Sequence, residues 1–336
     1  MLPVLVLLAM TSLLTMTWVP VPAALAAAAV RVEPGVTYGE HDGQALRLDV
    51  YLPPAPGRDR AAALLIHGGG WSQGDKSDER AVGETMAQSG WVAFAIGYTL
   101  DSPSRPGYPL QVEECQAALR WVEQHAHRFH IDVHRLVVYG GSAGGYLAAM
   151  VATLGPGRPG YAPVAAAVSL SAPLDPALLV QEYRAGAPCR PTGCAVTYTA
   201  LNHLSWFLGC PLRRCAAALL SAASPVDHVT NRTPPFFLYN SADEVIPASQ
   251  ATAMEAALRR EGVPVQLMVL PGESHGPPSL LDVKLPITSF LAAHVPPAPP
   301  PGHVWRWVVA GAATLAVVTA LLVLGLRRRR QPNALL

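Results

Sequence analysis

The most informative stretch of this sequence reads Val138-Tyr139-Gly140-Gly141-Ser142-Ala143-Gly144-Gly145. An apolar, strand-like run (136–139) leads into it, and an alanine-rich, helix-like run (146–152) follows it. A serine hydroxyl is a weak nucleophile, so it must stand where a base and oxyanion-binding donors can both reach it. A sharp strand-to-helix turn built from small residues meets that need. The pattern predicts a nucleophile at Ser142, although Gly-x-Ser-x-Gly alone also occurs in ordinary glycine-rich turns.

A second glycine-rich motif lies upstream and reads His67-Gly68-Gly69-Gly70-Trp71. It follows a short apolar run (61–66) that is typical of a buried strand. Glycines allow the main chain to come close to a substrate and to point N–H groups at it. Each such donor stabilises the charge that develops on a carbonyl oxygen in acyl transfer by about 3 kcal/mol. Because the motif precedes a nucleophile elbow, we predict an oxyanion-binding loop rather than a simple turn.

The remaining catalytic partners should follow the serine, the acid first and the histidine second. Asp243 and Glu244 come after a strand-like run (235–239), and His275 comes after another (265–270). The carboxyl ends of parallel strands are where an open α/β sheet places its chemistry. We predict that His275 acts as general base and then acid, oriented by the carboxylate of Asp243. Glu244 is the rival acid, less favoured because Asp243 comes first after the strand.

Taken together, these motifs resemble those of α/β-hydrolases, in the esterase/lipase group that includes hormone-sensitive-lipase-like and feruloyl-esterase-like carboxylesterases. The matching stretches are 67–71 with 74–76, 117–121, 140–145, 224–226, 241–243 with Val245 and Pro247, and 274–276. The resemblance implies that the N–H groups of Gly69, Gly70 and Ala143 form the oxyanion hole. One departure is the pair Tyr98-Thr99, where relatives often carry Tyr-Arg, which puts any support of the site by that arginine in question.

Strand-like and helix-like runs alternate along residues 35–294, which the resemblance also covers. This alternation predicts an α/β fold with a mostly parallel central sheet and helices on both faces. An early run with alternating apolar and polar residues (46–52) is typical of an edge strand. Residues 175–223 are too long for a simple connection between two core strands, and we interpret them as a small inserted cap.

The cap carries four cysteines at two equal spacings, which are Cys189 with Cys194 and Cys210 with Cys215. In an exported domain they are expected to form two disulfides, and sequence leaves three pairings open. A zinc site is the alternative, although the spacing is wider than the usual Cys-x2-Cys pair. Cys115 lies on a predicted helix and is expected to be buried and inert.

Both ends of the chain suggest membrane targeting. Residues 1–26 are apolar, lack charge and end in small residues, as in a cleaved signal peptide, with an uncleaved anchor as the alternative. After a proline-rich tether (295–303), residues 304–326 predict a transmembrane helix, and the four arginines that open the tail (327–336) mark its cytoplasmic side. We therefore expect a single-pass cell-membrane protein, held by the lipid bilayer, with its catalytic domain on the extracytoplasmic side.

Composition narrows the function. The 336 residues carry a net charge of +1 with 14% charged residues, so no nucleic-acid or polyanionic partner is indicated. We expect no cofactor and no metal ion. The predicted activity is serine-dependent hydrolysis of small or medium acyl esters, with a small-molecule ester as substrate. The alternatives are a formamide or acyl-peptide hydrolase with the same triad, or a catalytically idle surface binding module.

Overall fold

The computed structural model describes residues 29–155, 162, 164–184, 194–276 and 280–295. Its eight strands are β1 (Arg31–His41), β2 (Gln44–Leu52), β3 (Arg60–Ile66), β4 (Val92–Ile96), β5 (Ile131–Gly141), β6 (Ala166–Leu170), β7 (Phe236–Ser241) and β8 (Val265–Leu270). The described helices are α1 (Arg80–Gln88), α2 (Leu110–Gln124), α3 (Ala126–Phe129), α4 (Ala143–Leu154), α5 (Pro176–Arg184), α6 (Cys194–Leu208), α7 (Ala217–Ala222), α8 (Ala248–Arg260) and α9 (Leu280–His294).

All eight strands form one sheet in the order β1-β2-β4-β3-β5-β6-β7-β8. In this order, the strands β4-β3-β5-β6-β7-β8 pair in parallel with their neighbours. At the other side of the sheet, β2 pairs antiparallel with β4, and β1 pairs antiparallel with β2. The mostly parallel sheet is thus confirmed. The run at 46–52 does not form the edge, because β1 pairs along its outer side and β4 along its inner side.

The central strands are mostly apolar and buried because both faces of the sheet are covered. In β3, Leu64 and Ile66 face a core that includes residues of α2, α4 and α8. Their neighbour Leu65 faces a second core formed with α1 and α9. All three side chains are fully buried. Helices on both faces, as predicted, therefore hold the sheet and leave the loops at its strand ends for chemistry.

Helix α4 packs unusually closely on the sheet. A Cβ atom on Gly144 would lie 1.9 Å from the carbonyl oxygen of Ile66, at the end of β3. A Cβ atom on Gly140 would lie 2.3 Å from the carbonyl carbon of Gly144. Neither distance is possible for a real side chain, so the turn between β5 and α4 requires glycine at both positions.

The described helices are too short to cross a bilayer. The longest, α2, α6 and α9, have 15 residues each, whereas a spanning helix needs about 20 apolar residues. No helix among the described residues is both long and apolar enough to span a membrane. On this finding we correct the prediction of a single-pass membrane protein held by the lipid bilayer. The predicted signal peptide, transmembrane helix and tail, and the tether beyond Val295, lie outside the described residues.

Replacing Gly144 by alanine tests the close packing of α4. Alanine is favoured over glycine inside a helix by about 1 kcal/mol. The clash with the Ile66 carbonyl opposes this gain, because backbone cannot move aside as a flexible side chain can. We expect a net loss of about 3 kcal/mol in the free energy of unfolding, measured by denaturant titration. The control is Gly39→Ala, whose new Cβ would meet Leu46 at an ordinary 3.6 Å. Equal stability of the two variants would contradict the packing.

Candidate active site

Ser142 stands at the tip of the sharp turn between β5 and α4. Its backbone dihedrals are φ 54° and ψ −123°, a strained conformation for a residue with a side chain. Two backbone hydrogen bonds hold it: its N–H donates to the Leu170 carbonyl at 2.7 Å, and its carbonyl accepts from the Tyr146 N–H at 2.9 Å. The structure therefore stores strain at Ser142, as expected for a nucleophile elbow.

His275 lies on the loop after β8 and reaches the serine. The Ser142 hydroxyl donates to Nε2 of His275 at 2.8 Å. On the other side of the ring, Nδ1 of His275 donates to Oε2 of Glu244 at 2.6 Å. Both distances suit proton transfer without rearrangement. The arrangement can take a proton from the serine and stabilise the imidazolium that results.

The Glu244 carboxylate is completely buried and well satisfied. Its side chain has 0% exposure. Besides His275, it accepts hydrogen bonds from the Ser241 N–H and from the Ser171 hydroxyl, each at 2.7 Å. A buried carboxylate without such donors would be costly. The Ser171 hydroxyl oxygen also accepts from the Gly276 N–H at 3.1 Å, so this one residue holds both the acid and the histidine loop.

The carboxylate that bonds to Nδ1 of His275 is that of Glu244, and the preference for Asp243 as the acid is corrected on this contact. After β7 two more residues stay bonded to the end of β8 and the loop after it. The N–H groups of Ala242 and Asp243 donate to the carbonyls of Leu270 and Gly272. The turn then closes when the Glu244 carboxylate accepts from the Ser241 N–H, which brings Glu244 to the imidazole. Position after the strand does not decide this, because the turn geometry selects between two adjacent carboxylates.

The glycine loop after β3 has its peptide groups turned in a defined direction. His67 Nδ1 donates to the Gly68 carbonyl at 2.7 Å. The Gly69 carbonyl accepts from the N–H groups of Ser72 and Gln73 at 3.3 and 3.1 Å. The C=O and N–H of a trans peptide point in opposite directions. The N–H groups of Gly69 and Gly70 therefore point away from these supports.

This loop lies directly against the nucleophile elbow. A Cβ atom on Gly68 would be 3.5 Å from the Cβ of Ser142 and 3.0 Å from the Gly141 carbonyl oxygen. Ala143 begins α4, and the first N–H groups of a helix have no acceptor within it. The structure thus brings the elbow and the predicted donor loop together at the carboxyl edge of the sheet.

Tyr98 supports the glycine loop, and Thr99 anchors the loop after β4, in ways that the sequence did not reveal. The Tyr98 ring stacks on His67 at 4.2 Å between centroids, and its hydroxyl donates to the His67 carbonyl at 3.0 Å. Burial lowers the pKa of His67, which keeps the ring neutral. Thr99 donates its N–H and its hydroxyl to the buried Glu114 carboxylate at 2.7 and 2.6 Å. Thr99 therefore anchors the loop after β4 to α2.

The segment between β6 and β7 contains α5, α6 and α7, in the region predicted as a cap. A disulfide joins Cys210 and Cys215 just after α6. Cys189 and the side chain of Cys194 lie outside the described residues. Cys115 is a free, buried thiol, and burial raises its pKa. Within the described part of the chain, no group of three or more His, Cys, Asp or Glu residues could hold a metal ion.

Comparison with known proteins identifies relatives of this chain. The model of the BD-FAE family matches residues 48–258. Esterase LipQ of Mycobacterium tuberculosis is 28% identical over 248 residues, covering 71% of this chain and 56% of LipQ. Ethyl acetate hydrolase of Pseudomonas putida is 31% identical over 245 residues, covering 70% of this chain and 72% of that enzyme. The chain thus spans little more than half the length of the mycobacterial relative.

The solved structures agree on the fold. Esterase B from Lactobacillus rhamnosis superposes with a TM-score of 0.64 at 20% sequence identity, covering 80% of this chain and 87% of esterase B. At such low identity the likeness concerns the fold alone. It confirms the predicted α/β-hydrolase fold.

Exchanging the two neighbouring acids tests the geometry after β7. Glu244→Gln removes the charge that stabilises the imidazolium and disturbs the tautomer of His275, so we expect kcat to fall by about 10⁴-fold. Asp243→Asn should retain activity within about threefold, since the carboxylate bonded to Nδ1 of His275 is that of Glu244. Kinetics on a chromogenic ester would measure both. A severe loss in Asp243→Asn together with a mild one in Glu244→Gln would restore Asp243 as the acid.

Proposed function

This chain belongs to the BD-FAE family, within the α/β-hydrolase carboxylesterases, and on that premise we propose that it hydrolyses carboxylic esters through Ser142, His275 and Glu244. The observation that carries the proposal is the pair of hydrogen bonds from Ser142 to His275 and from His275 to Glu244, at 2.8 and 2.6 Å. A nucleophile, a base and an orienting acid in this order are the parts that acyl transfer needs.

In the proposed acylation step, the Ser142 oxygen forms a bond to the ester carbonyl carbon while its proton passes to Nε2 of His275. The π electron pair of the carbonyl moves onto its oxygen, giving a tetrahedral oxyanion. When this intermediate collapses, the bond to the alcohol oxygen breaks and His275 returns the proton to the leaving alcohol. A water molecule then attacks the carbonyl carbon of the acyl-enzyme while its proton passes to His275. The bond to the Ser142 oxygen breaks, His275 returns the proton to that oxygen, and the carboxylic acid leaves.

The oxyanion would be bound by the N–H groups of Gly69, Gly70 and Ala143. The proposal is supported by the orientation of the glycine-loop peptides, whose carbonyls are turned back onto His67 and onto the turn at 72–73. It is also supported by the closeness of the loop to the elbow, since a Cβ atom on Gly68 would lie 3.5 Å from the Ser142 Cβ. Each donor would stabilise the transition state by about 3 kcal/mol.

Esters of small or medium acyl groups are the proposed substrates. Support comes from the name of one relative, an ethyl acetate hydrolase that is 31% identical over 245 residues. Formamides and acyl-peptides remain the rival substrates because the same triad can cleave them. An idle binding module is disfavoured by the complete hydrogen-bonded constellation, which binding alone does not require.

Removal of the nucleophile tests the activity directly. Ser142→Ala should abolish ester hydrolysis and labelling by a fluorophosphonate, because no oxygen is left to form the acyl or phosphonyl bond. His275→Ala should lower kcat by several orders of magnitude. Ser89→Ala, at the exposed end of α1, is the matched control and should behave as wild type. Labelling of Ser142→Ala at the wild-type rate would contradict the assignment.

A substrate panel separates the candidate activities. The wild-type protein should hydrolyse p-nitrophenyl esters from acetate to octanoate with a higher kcat/KM than the matching anilides or aryl formamides, because the leaving alcohol departs more easily than an amine. A higher kcat/KM for formamides would favour the rival activity. If the protein hydrolyses none of these substrates and is not labelled by a fluorophosphonate, the result would favour the binding module.

A further inference from the structure

Helix α6 of the cap region reaches across to the glycine loop. His203 on this helix contacts the loop through Nδ1, which lies 3.1 Å from the Gly70 carbonyl oxygen and 2.7 Å from the Ser72 hydroxyl. One turn further along the helix, Phe207 stacks on the Trp71 ring at 4.5 Å between centroids. A single helix face thus holds the loop at one polar and one apolar point.

The contact with Gly70 is close as well as polar. A Cβ atom on Gly70 would lie 2.8 Å from both Cγ and Nδ1 of His203, so the imidazole covers this glycine. A carbonyl oxygen can only accept a hydrogen bond, so the geometry assigns the ring hydrogen to Nδ1, shared between Gly70 and Ser72. His203 therefore fills the space beside Gly70 and also fixes the direction of its carbonyl.

The backbone in this part of the loop needs such support. Gly70 has φ 57°, and the next residue, Trp71, has φ 62°, which is unfavourable for a bulky side chain. The bonds from Ser72 and Gln73 hold the peptide between Gly69 and Gly70, and the bond from His203 holds the one that follows. The Cα of Gly70, between two restrained peptides, cannot rotate without breaking one of them.

We propose that His203 is a positioning residue that couples the cap helix α6 to the oxyanion hole by restraining Gly70. The inference rests on the proposed function, in which the Gly70 N–H binds the oxyanion. A restraint of this kind acts on the transition state, where charge develops, and has little effect on binding of the uncharged ester. It predicts a loss in kcat with KM unchanged.

Three substitutions separate the hydrogen bond from the packing. His203→Phe keeps a ring over Gly70 and removes the donor, and we expect kcat to fall about tenfold. His203→Asn restores an N–H donor near the Nδ1 position and should recover kcat to within about threefold of wild type. Asn202→Ala, exposed on the same helix, is the control and should match wild type. Thermal melting of each variant checks that the fold is retained.

A transition-state analogue provides a second readout. A trifluoromethyl ketone forms a bond between the Ser142 oxygen and its carbonyl carbon, the π electron pair moves to oxygen, and the serine proton passes to His275. The resulting oxyanion mimics the tetrahedral intermediate. In His203→Phe the inhibition constant should rise by the same factor by which kcat/KM falls, because both report oxyanion binding.

The outcomes distinguish this inference from the proposed function. An increase in KM at unchanged kcat in His203→Phe would mean that His203 shapes the substrate pocket, and would overturn the inference. Wild-type kinetics in His203→Phe, with Ser142→Ala inactive, would overturn the inference alone. If Ser142→Ala remained active, the proposed function and the inference would both fall. His203→Ala takes its place if His203→Phe does not fold, because it also removes the donor to the Gly70 carbonyl, and wild-type kcat in that variant would overturn the inference.

Discussion

The close approach of α4 to β3 is the constraint on which the rest of the site depends. With no side chain on Gly144, the first turn of α4 lies against the Ile66 carbonyl, at the point where β3 ends and the glycine loop begins. The nucleophile and the glycine loop are therefore held by the same contact. Because backbone meets backbone, neither element can shift alone, and Ser142 keeps its strained conformation.

The acid of the site is held by hydrogen bonds rather than by close backbone packing. The Glu244 carboxylate is removed from water, and burial of a charge is tolerated only where hydrogen bonds replace its hydration. Here a backbone N–H, a serine hydroxyl and the His275 ring supply them. Ser171 also binds the N–H of Gly276, so the strand ends of β6, β7 and β8 are joined around one carboxylate. The orientation of the base thus comes from three strands rather than from one loop.

The cap region adds a link that the sheet alone does not supply. The disulfide between Cys210 and Cys215 lies just beyond α6. The Cys210 N–H donates to the carbonyl of Ser205 in that helix, and the Cys210 carbonyl accepts from the Ser205 hydroxyl. On its inner face the same helix contacts the glycine loop through His203 and Phe207. Helix α6 therefore touches the loop that is proposed to bind the oxyanion.

The amino-acid sequence by itself determined the alternation of strands and helices, the elbow at Ser142, the glycine loop and the partner His275. These are local signals, since glycine spacing and apolar periodicity depend on neighbouring residues. The tertiary structure decided what depends on distant contacts. It placed Glu244 rather than Asp243 on the histidine, because the Ser171 hydroxyl and the Ser241 N–H donate to the Glu244 carboxylate. It also moved the run at 46–52 inside the sheet, because β1 pairs with its outer side.

Likewise, the tertiary structure alone brought His203 to Gly70, since these residues are 133 positions apart and no motif connects them. A one-dimensional pattern records which residues can do the chemistry. It does not record which of two adjacent carboxylates faces a ring, or which helix covers a loop, because these are set by packing between segments far apart in the chain.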